Sequence, residues 1–525
     1  MSVEMFAKRE NYYLLILVLL CGIAFFWQLG DAPLFDRDEG AFSEATREMF
    51  ERKDFISPFL NAEPRHDKPV LTYWLQAIGV LLFGLNETGL RFHSAIAATC
   101  WIFATYYFTR KFLDEESAFV AAFLNATSLF VILIARLATA DALLNLFIAL
   151  SLFEIYNYFA DDKSKNFLNL DLRVSRFFLW IALGFLTKGP VAIVIPFAVS
   201  LIFFATQKRV VSFLKLWFNP FGILIFAVVA LPWFVVQTFI DDGAFLRGFF
   251  FRHNLERFET TMESHGGSIF YYVPILFIIV LPYSFWLFRA FFRIGDARRD
   301  KLDLFCWLWF AFVFAFFSIS STKLPHYILY GITPLFVLMS KHRNDLRGKF
   351  WALSPLILLF SLMFCLPFLI EPSRVFINKA EILVTLDEGR KLLTVNFQIS
   401  MALGLILVLA LFFVTKRQTW QITLISGAIF AFAVAQTLLP TFGAILHQPA
   451  KDSAHFLMSN NIDNIVIWKL DVPSTSVYLQ RVTQNREPRD GEIVMTRIDK
   501  VSEIKKAQTL FQSGAIVILK VEEFR

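Results

Sequence analysis

Residues 35–74 read FDRDEGAFSEATREMFERKDFISPFLNAEPRHDKPVLTYW, and the fold is decided by how this polar stretch sits between apolar ones. Asp36 followed by Glu39 predicts a helix start of capping-box type. Asp38 and Glu39 in the first turn suit the positive end of the helix dipole. Phe42, Ala45, Met49 and Phe50 recur at helical spacing, with Arg47, Glu48 and Glu51 on other faces. That pattern predicts an amphipathic helix lying on a membrane surface. The stretch closes at His66-Asp67-Lys68-Pro69, where Pro69 biases Lys68 away from helical geometry.

On either side the chain is greasy. Of 525 residues 57% are hydrophobic and 64 are Phe, and apolar runs of spanning length recur along most of it. The fold class is therefore an α-helical polytopic membrane protein. The net charge of +6 does not point to nucleic acid, because the basic residues fall in short loops between apolar runs, a topology signal. Cys21, Cys100, Cys306 and Cys365 all lie in apolar runs, which excludes a disulfide framework. Lys8-Arg9 followed by the apolar run 12–29 lacks a small-residue cleavage site and reads as a retained first span.

With Lys8 and Arg9 inside, the first span delivers 35–68 to the outer face, and 71–83 is short enough to be interfacial or re-entrant. Folding the chain back and forth gives roughly thirteen spans, the shortest at 177–186. One assignment then places Arg110, Lys111, Lys208, Arg209, Arg298, Arg299, Arg343 and Arg347 on a single side. Residues 1–445 form the membrane domain with its outer loop at 30–70, and 446–525 a small soluble α/β domain on the outer side. Within the latter, 464–470 and 515–521 read as strands and 501–511 as a helix.

Charged residues expected on the outer side recur at span ends: Asp38, Glu39, Asp67, Lys68, Arg136, Asp141, Lys188, His253, Arg257, His265 and Lys323. Cations beside carboxylates suit group transfer from a phosphate-linked substrate. The cations hold a phosphate leaving group, and a carboxylate orients or deprotonates the acceptor. Each residue also has a plainer reading. Asp38 answers the helix dipole, Asp141 caps a helix, Lys68 snorkels, Lys323 anchors at the interface, and the loop histidines are solvated.

Taken together, Asp38-Glu39, Asp67-Lys68-Pro69 with Tyr73-Trp74, Leu186-Thr187-Lys188-Gly189 and His253-Asn254-Leu255-Glu256-Arg257-Phe258 form an ordered set. Ser321-Thr322-Lys323-Leu324-Pro325-His326-Tyr327 and Val472-Pro473-Ser474-Thr475 extend it. The set resembles the lipid A aminoarabinose transferases of the GT-C superfamily, which also includes protein O-mannosyltransferases. The resemblance implies a GT-C fold of about thirteen transmembrane helices and a glycosyltransferase using a polyprenyl-phosphate sugar donor. It implies Asp38 as the catalytic carboxylate, with Glu39 and Asp141 beside it. Lys68, Lys323 and Tyr327, counted with Arg136, would face the donor phosphate.

By the same resemblance Asp67 and His253 would hold a divalent metal, Zn or Mg/Mn. Here the acid is Asp where relatives carry Glu, and two ligands are too few for a closed structural zinc site. The partners implied are the lipid-linked donor, lipid A or another envelope acceptor, and membrane lipids, for a monomer in the bacterial inner membrane. The active site and C-terminal domain would then be periplasmic. Two rivals remain: a protein or glycan O-glycosyltransferase of the same fold, and a transporter or flippase. The nearly charge-free midspans and the lack of an internal repeat disfavour the second.

Overall fold

The computed structural model describes residues 3–161, 171–250, 267–414 and 416–524, so His253, Arg257 and His265 lie outside the described residues. Six helices are long and apolar enough to cross a membrane: Asp141–Ala160, Pro220–Ile240, Lys301–Ile319, Lys349–Phe376, Val395–Val414 and Thr419–Ser459. The pair Glu115–Thr127 and Leu129–Ala135, bent by 66°, makes a seventh if it forms one span. Leu71–Phe83 and Val191–Thr206 are apolar but shorter. Each expected span overlaps helix; among the described residues six or seven helices are long and apolar enough to cross by length and composition, and the exact count of thirteen is not confirmed. Besides the bent pair, two further expected spans are broken. The first divides into Tyr272–Ile279 and Ser284–Phe291, with Pro282 between. The second divides into the 3-10 turn Pro325–Gly331 and the helix Thr333–Lys341, where Pro325 and Pro334 each remove a backbone donor.

The basic loops do meet at one end. Arg110 pairs with Glu10, Arg173 with Asp161, and Arg343 with Glu116 at 2.9 Å. Lys111 donates to Asn157 at the same end. At the other end the stretch 35–74 meets the C-terminal sheet.

That meeting departs from the amphipathic-surface expectation. The helix Asp38–Arg52 is buried from Glu39 to Met49, packed against Leu71–Phe83 and the short helix Ser474–Leu479. Its polar face is satisfied by protein instead of headgroups: Arg47 grips Glu44 at 2.7 Å and Glu51 at 2.6 Å. The expected capping box does not form either. The residue before the helix, Arg37, has φ 70° and provides no side-chain cap. Asp36 turns away to accept from the Ser474 amide at 2.9 Å, and Glu39 accepts from the Phe35 amide at 2.7 Å.

The C-terminal part is a five-stranded mixed sheet in the spatial order Gln484–Asn485, Val466–Ile467, Ile493–Arg497, Ile516–Glu523, Lys506–Ser513. The two strands expected here are present, but the helix expected at 501–511 is not. The chain makes a 3-10 turn, Ile498–Glu503, and then the edge strand Lys506–Ser513, antiparallel to Ile516–Glu523. Gly514, at φ 50°, makes the reversal between them, and ladder pairing overrides the helical pattern. The expected boundary at 445 falls inside the continuous helix Leu439–Ser459, which carries the sheet: Phe456 stacks on Phe511 with centroids 4.6 Å apart.

Candidate active site

Five chain segments, two of them helix starts, converge on a single cavity. It is lined by Asp38, Phe42, Lys68, Thr139, Ala140, Asp141, Lys188, Leu324, His326 and Tyr327. Local sequence explains each placement. Asp38 opens the helix Asp38–Arg52, and Asp141 opens Asp141–Ala160, both at the dipole end that favours a carboxylate. Lys188 is the last residue of Leu172–Lys188, the end that favours a cation. Gly189, at φ 78°, stops that helix there, and a Cβ on it would lie 2.2 Å from the Phe249 ring. Pro69 biases Lys68 away from helix, and the chain bends there; the Pro325–Gly331 turn carries His326 and Tyr327.

The floor is a charge-assisted network. Lys188 Nζ lies 2.6 Å from Asp141 Oδ1 and donates to the Tyr330 hydroxyl at 3.1 Å. Tyr330 itself donates to Asp141 at 3.2 Å, and Thr139 to the other carboxylate oxygen at 3.3 Å. His326 Nε2 stands 3.8 Å from Asp141, and the Lys188 ammonium sits 5.7 Å from the Tyr327 ring centroid. Above this floor Lys68 Nζ donates to Asp67 at 3.3 Å, and Asp38 is exposed. The hollow is narrow, about 20 Å³, close to the volume of a single water.

Four expected site residues do other work. Glu39 is 2% exposed and saturated: Arg91 donates to it at 2.7 and 3.0 Å, and the Ala138 amide at 2.7 Å. It anchors the start of the outer helix and is not available to a substrate. Arg136 donates to the carbonyls of Trp27 at 2.9 Å and Gln28 at 2.7 Å, tying down the end of the first helix. Lys323 Nζ turns back to the Ser320 carbonyl at 2.6 Å and does not line the cavity.

Asp67 is the fourth. Arg65 holds it in a fork at 2.6 and 3.1 Å with Lys68 beside it, so both oxygens already answer cations. A divalent ion there would face two like charges, and Asp67 does not fit the metal role. Among the described residues, the one group able to bring three ligand atoms together is Asp296, Asp303 and His342. It lies at the far end of Lys301–Ile319, where Lys341 already neutralises Asp303 at 2.7 Å.

Conversely, Lys188 is expected from sequence only as an outer-side cation at a span end, with no role given, and His326 and Tyr330 are not among the expected site residues. Lys188 and His326 stand in the very motifs Leu186–Gly189 and Ser321–Tyr327, where a cation or imidazole ending an apolar run was the available signal.

Residues 67–235 match the family described as dolichyl-phosphate-mannose-protein mannosyltransferase. Over 336 residues the chain is 28% identical to an undecaprenyl phosphate-alpha-4-amino-4-deoxy-L-arabinose arabinosyl transferase of Yersinia enterocolitica, covering 64% of this chain and 60% of that protein. A Pseudomonas fluorescens protein of the same description is 29% identical over 345 residues, again covering 64% and 60%. The chain thus spans about 60% of the length of these relatives. In architecture it is similar to ArnT from Cupriavidus metallidurans, solved bound to undecaprenyl phosphate. The TM-score is 0.80 at 19% identity, over 97% of this chain and 98% of that one. The archaeal oligosaccharyltransferase AglB of Archaeoglobus fulgidus is more distant, at a TM-score of 0.53 and 13% identity, over 94% and 70%. In sequence the chain resembles the aminoarabinose arabinosyl transferases, and in architecture it shares the fold of ArnT.

Proposed function

We propose that this protein moves a sugar from a polyprenyl (undecaprenyl) phosphate donor onto an envelope acceptor, lipid A first, from the outer face of the bacterial inner membrane. The observation that carries the reading is the convergence of Asp38, Lys68, Asp141, Lys188, His326 and Tyr327 on one cavity at the ends of apolar helices. Lys68 would neutralise the departing phosphate, with Tyr327 beside it. Asp141 fixes Lys188 in register below them. The acceptor oxygen forms its bond to the anomeric carbon as the bond from that carbon to the phosphate oxygen breaks, and polyprenyl phosphate leaves with the electron pair. A hydroxyl acceptor would give its proton to Asp38. An ionised phosphate acceptor has none to give, and Asp38 then orients it.

Support for the lipid tail comes from an apolar cleft of about 430 Å³ lined by Phe185, Leu231, Phe234, Val235, Phe239 and Phe250. Phe185 lies one helical turn before Lys188, so a chain resting there would bring its phosphate toward the cation. Because the polar hollow is narrow, the donor head must part its walls on entry. The match of 67–235 to the protein mannosyltransferase description favours a second reading in which the acceptor is a protein hydroxyl.

Mass spectrometry of lipid A and of envelope proteins from cells with and without the gene separates the two. Loss of a sugar from lipid A is the expected result. Loss from protein alone would transfer the assignment to the second reading, and no change in either would overturn both.

A further inference from the structure

A second polar cleft, of about 440 Å³, opens where the outer loop meets the C-terminal sheet, lined by Arg37, Lys469, Leu470, Asp471, Asn485 and Arg497. Three cations face one carboxylate, and they come from three separate elements. Arg37 precedes the outer helix, Lys469 follows the strand Val466–Ile467, and Arg497 ends the strand Ile493–Arg497. Two are braced by acids. Lys469 pairs with Glu503, while Arg497 is gripped by Asp499 at 2.7 Å and Glu381 at 3.1 Å through Nε and Nη2. The Nη1 amine of Arg497 takes no part in those contacts. Arg37 is exposed and enters no ion pair among the described residues.

The backbone at two of these cations is unusual. Arg37 has φ 70° and Lys469 φ 51°, left-handed conformations that cost a side-chain-bearing residue free energy and recur at ligand clamps. Position adds a further argument. Arg37 immediately precedes Asp38, so the cleft and the donor cavity lie on either side of one peptide, with α-carbons about 3.8 Å apart. A molecule anchored by an anionic group at Arg37 can therefore offer an oxygen to the cavity that Asp38 lines.

We propose that this cleft binds a phosphate monoester of the acceptor, with the Arg37 guanidinium as the principal contact and Lys469 and the Nη1 edge of Arg497 beside it. Planar guanidinium groups meet phosphate through paired hydrogen bonds, and acids that brace the flanking cations reduce the ordering cost of binding. The proposal rests on the transferase reading above and adds how the acceptor is recognised. Lys469 and Arg497 already answer acids, but a protein hydroxyl carries no charge for the exposed Arg37 guanidinium to meet, so the cleft favours a phosphorylated glycolipid.

The test uses the full chain in nanodiscs and three probes: synthetic bisphosphorylated lipid A, the same lipid without its phosphates, and inorganic phosphate. The phosphorylated lipid should bind wild type about tenfold more tightly than R37Q, while the dephosphorylated lipid binds both alike. Undecaprenyl phosphate binding reports that each variant is folded, and K469Q replaces R37Q if the latter loses it. Equal affinity of wild type and both variants for the phosphorylated lipid overturns the proposal. Inorganic phosphate binding as tightly as the lipid overturns it too, by assigning the cleft to a free anion. A wild type that binds the phosphorylated lipid through Arg37 but transfers no sugar to it upholds the cleft and overturns the transferase reading instead.

Discussion

Lys188 and Asp141 meet at 2.6 Å across the floor of the cavity, one closing a helix and the other opening a different one, 47 residues apart in sequence. Both side chains are nearly buried, 14% and 11% exposed. Removing one partner of such a pair strands the other charge, at about 3–5 kcal/mol. Lys188→Ala is therefore expected to lower thermal stability in detergent markedly. Pairing Lys188→Met with Asp141→Asn, which removes both charges, should recover most of that loss while remaining inactive. A double variant as unstable as the single one would show that the pair is not the source of the cost.

Asp38 and Glu39 are adjacent acids with opposite expectations. Asp38→Asn should keep the wild-type melting temperature and lose turnover by about a hundredfold or more, the scale of an acid–base contribution. Glu39→Gln should damage folding first, because the carboxylate is the buried partner of Arg91, each 1% exposed. Lys68→Ala belongs with Asp38, inserting normally and failing in transfer from undecaprenyl-phosphate-linked sugar. Melting curves beside initial rates decide each case, and an active Lys68→Ala would remove it from the phosphate grip.

Gly40 sits where the outer helix touches the C-terminal sheet. A Cβ there would lie 2.8 Å from the Ser474 amide and 2.9 Å from Asp36 Oδ1, the two groups whose hydrogen bond clasps the segments together. Helix propensity alone would favour alanine by about 1 kcal/mol. Overpacking against backbone costs about 1–3 kcal/mol, so the clash wins. Gly40→Ala is expected to loosen the clasp, seen as faster limited proteolysis between the last helix and the sheet. Unchanged protection would mean that the clasp does not hold the sheet.

Glu44 is buried in the outer helix, and burial pushes its carboxyl up to about 7, with Arg47 offsetting part of the rise. In the unfolded chain the group titrates near its ordinary value of 4.5. Between those values the folded state holds the proton and the unfolded state does not, so stability falls as pH rises through the window and is level above it. Melting temperature should thus decline from about pH 5 to about pH 7 in wild type and decline less in Glu44→Gln. Parallel profiles would assign the dependence to other groups.

Much of this was legible in the linear chain because membrane proteins write their class into composition. Hydrocarbon admits only long apolar helices, and loops of one sign of charge collect on one side, so the helical class and the clustering of Arg110, Arg173 and Arg343 follow from local text. The motifs holding Asp38, Lys68, Asp141 and Tyr327 were equally visible, each at the end of an apolar run. The destination of each side chain was not visible. Glu39 looks like Asp38 in sequence, and Arg136 and Lys323 look like Lys68. For Glu39 and Arg136 the deciding partner lies more than 50 residues away, while Lys323 turns to a carbonyl only three residues back once its loop is folded. The amphipathic face of Asp38–Arg52 announced that something apolar would cover it. Only the packed structure decided that the cover was the chain's own Leu71–Phe83 and Ser474–Leu479 instead of lipid, because a stripe records the need for burial and not the identity of the partner.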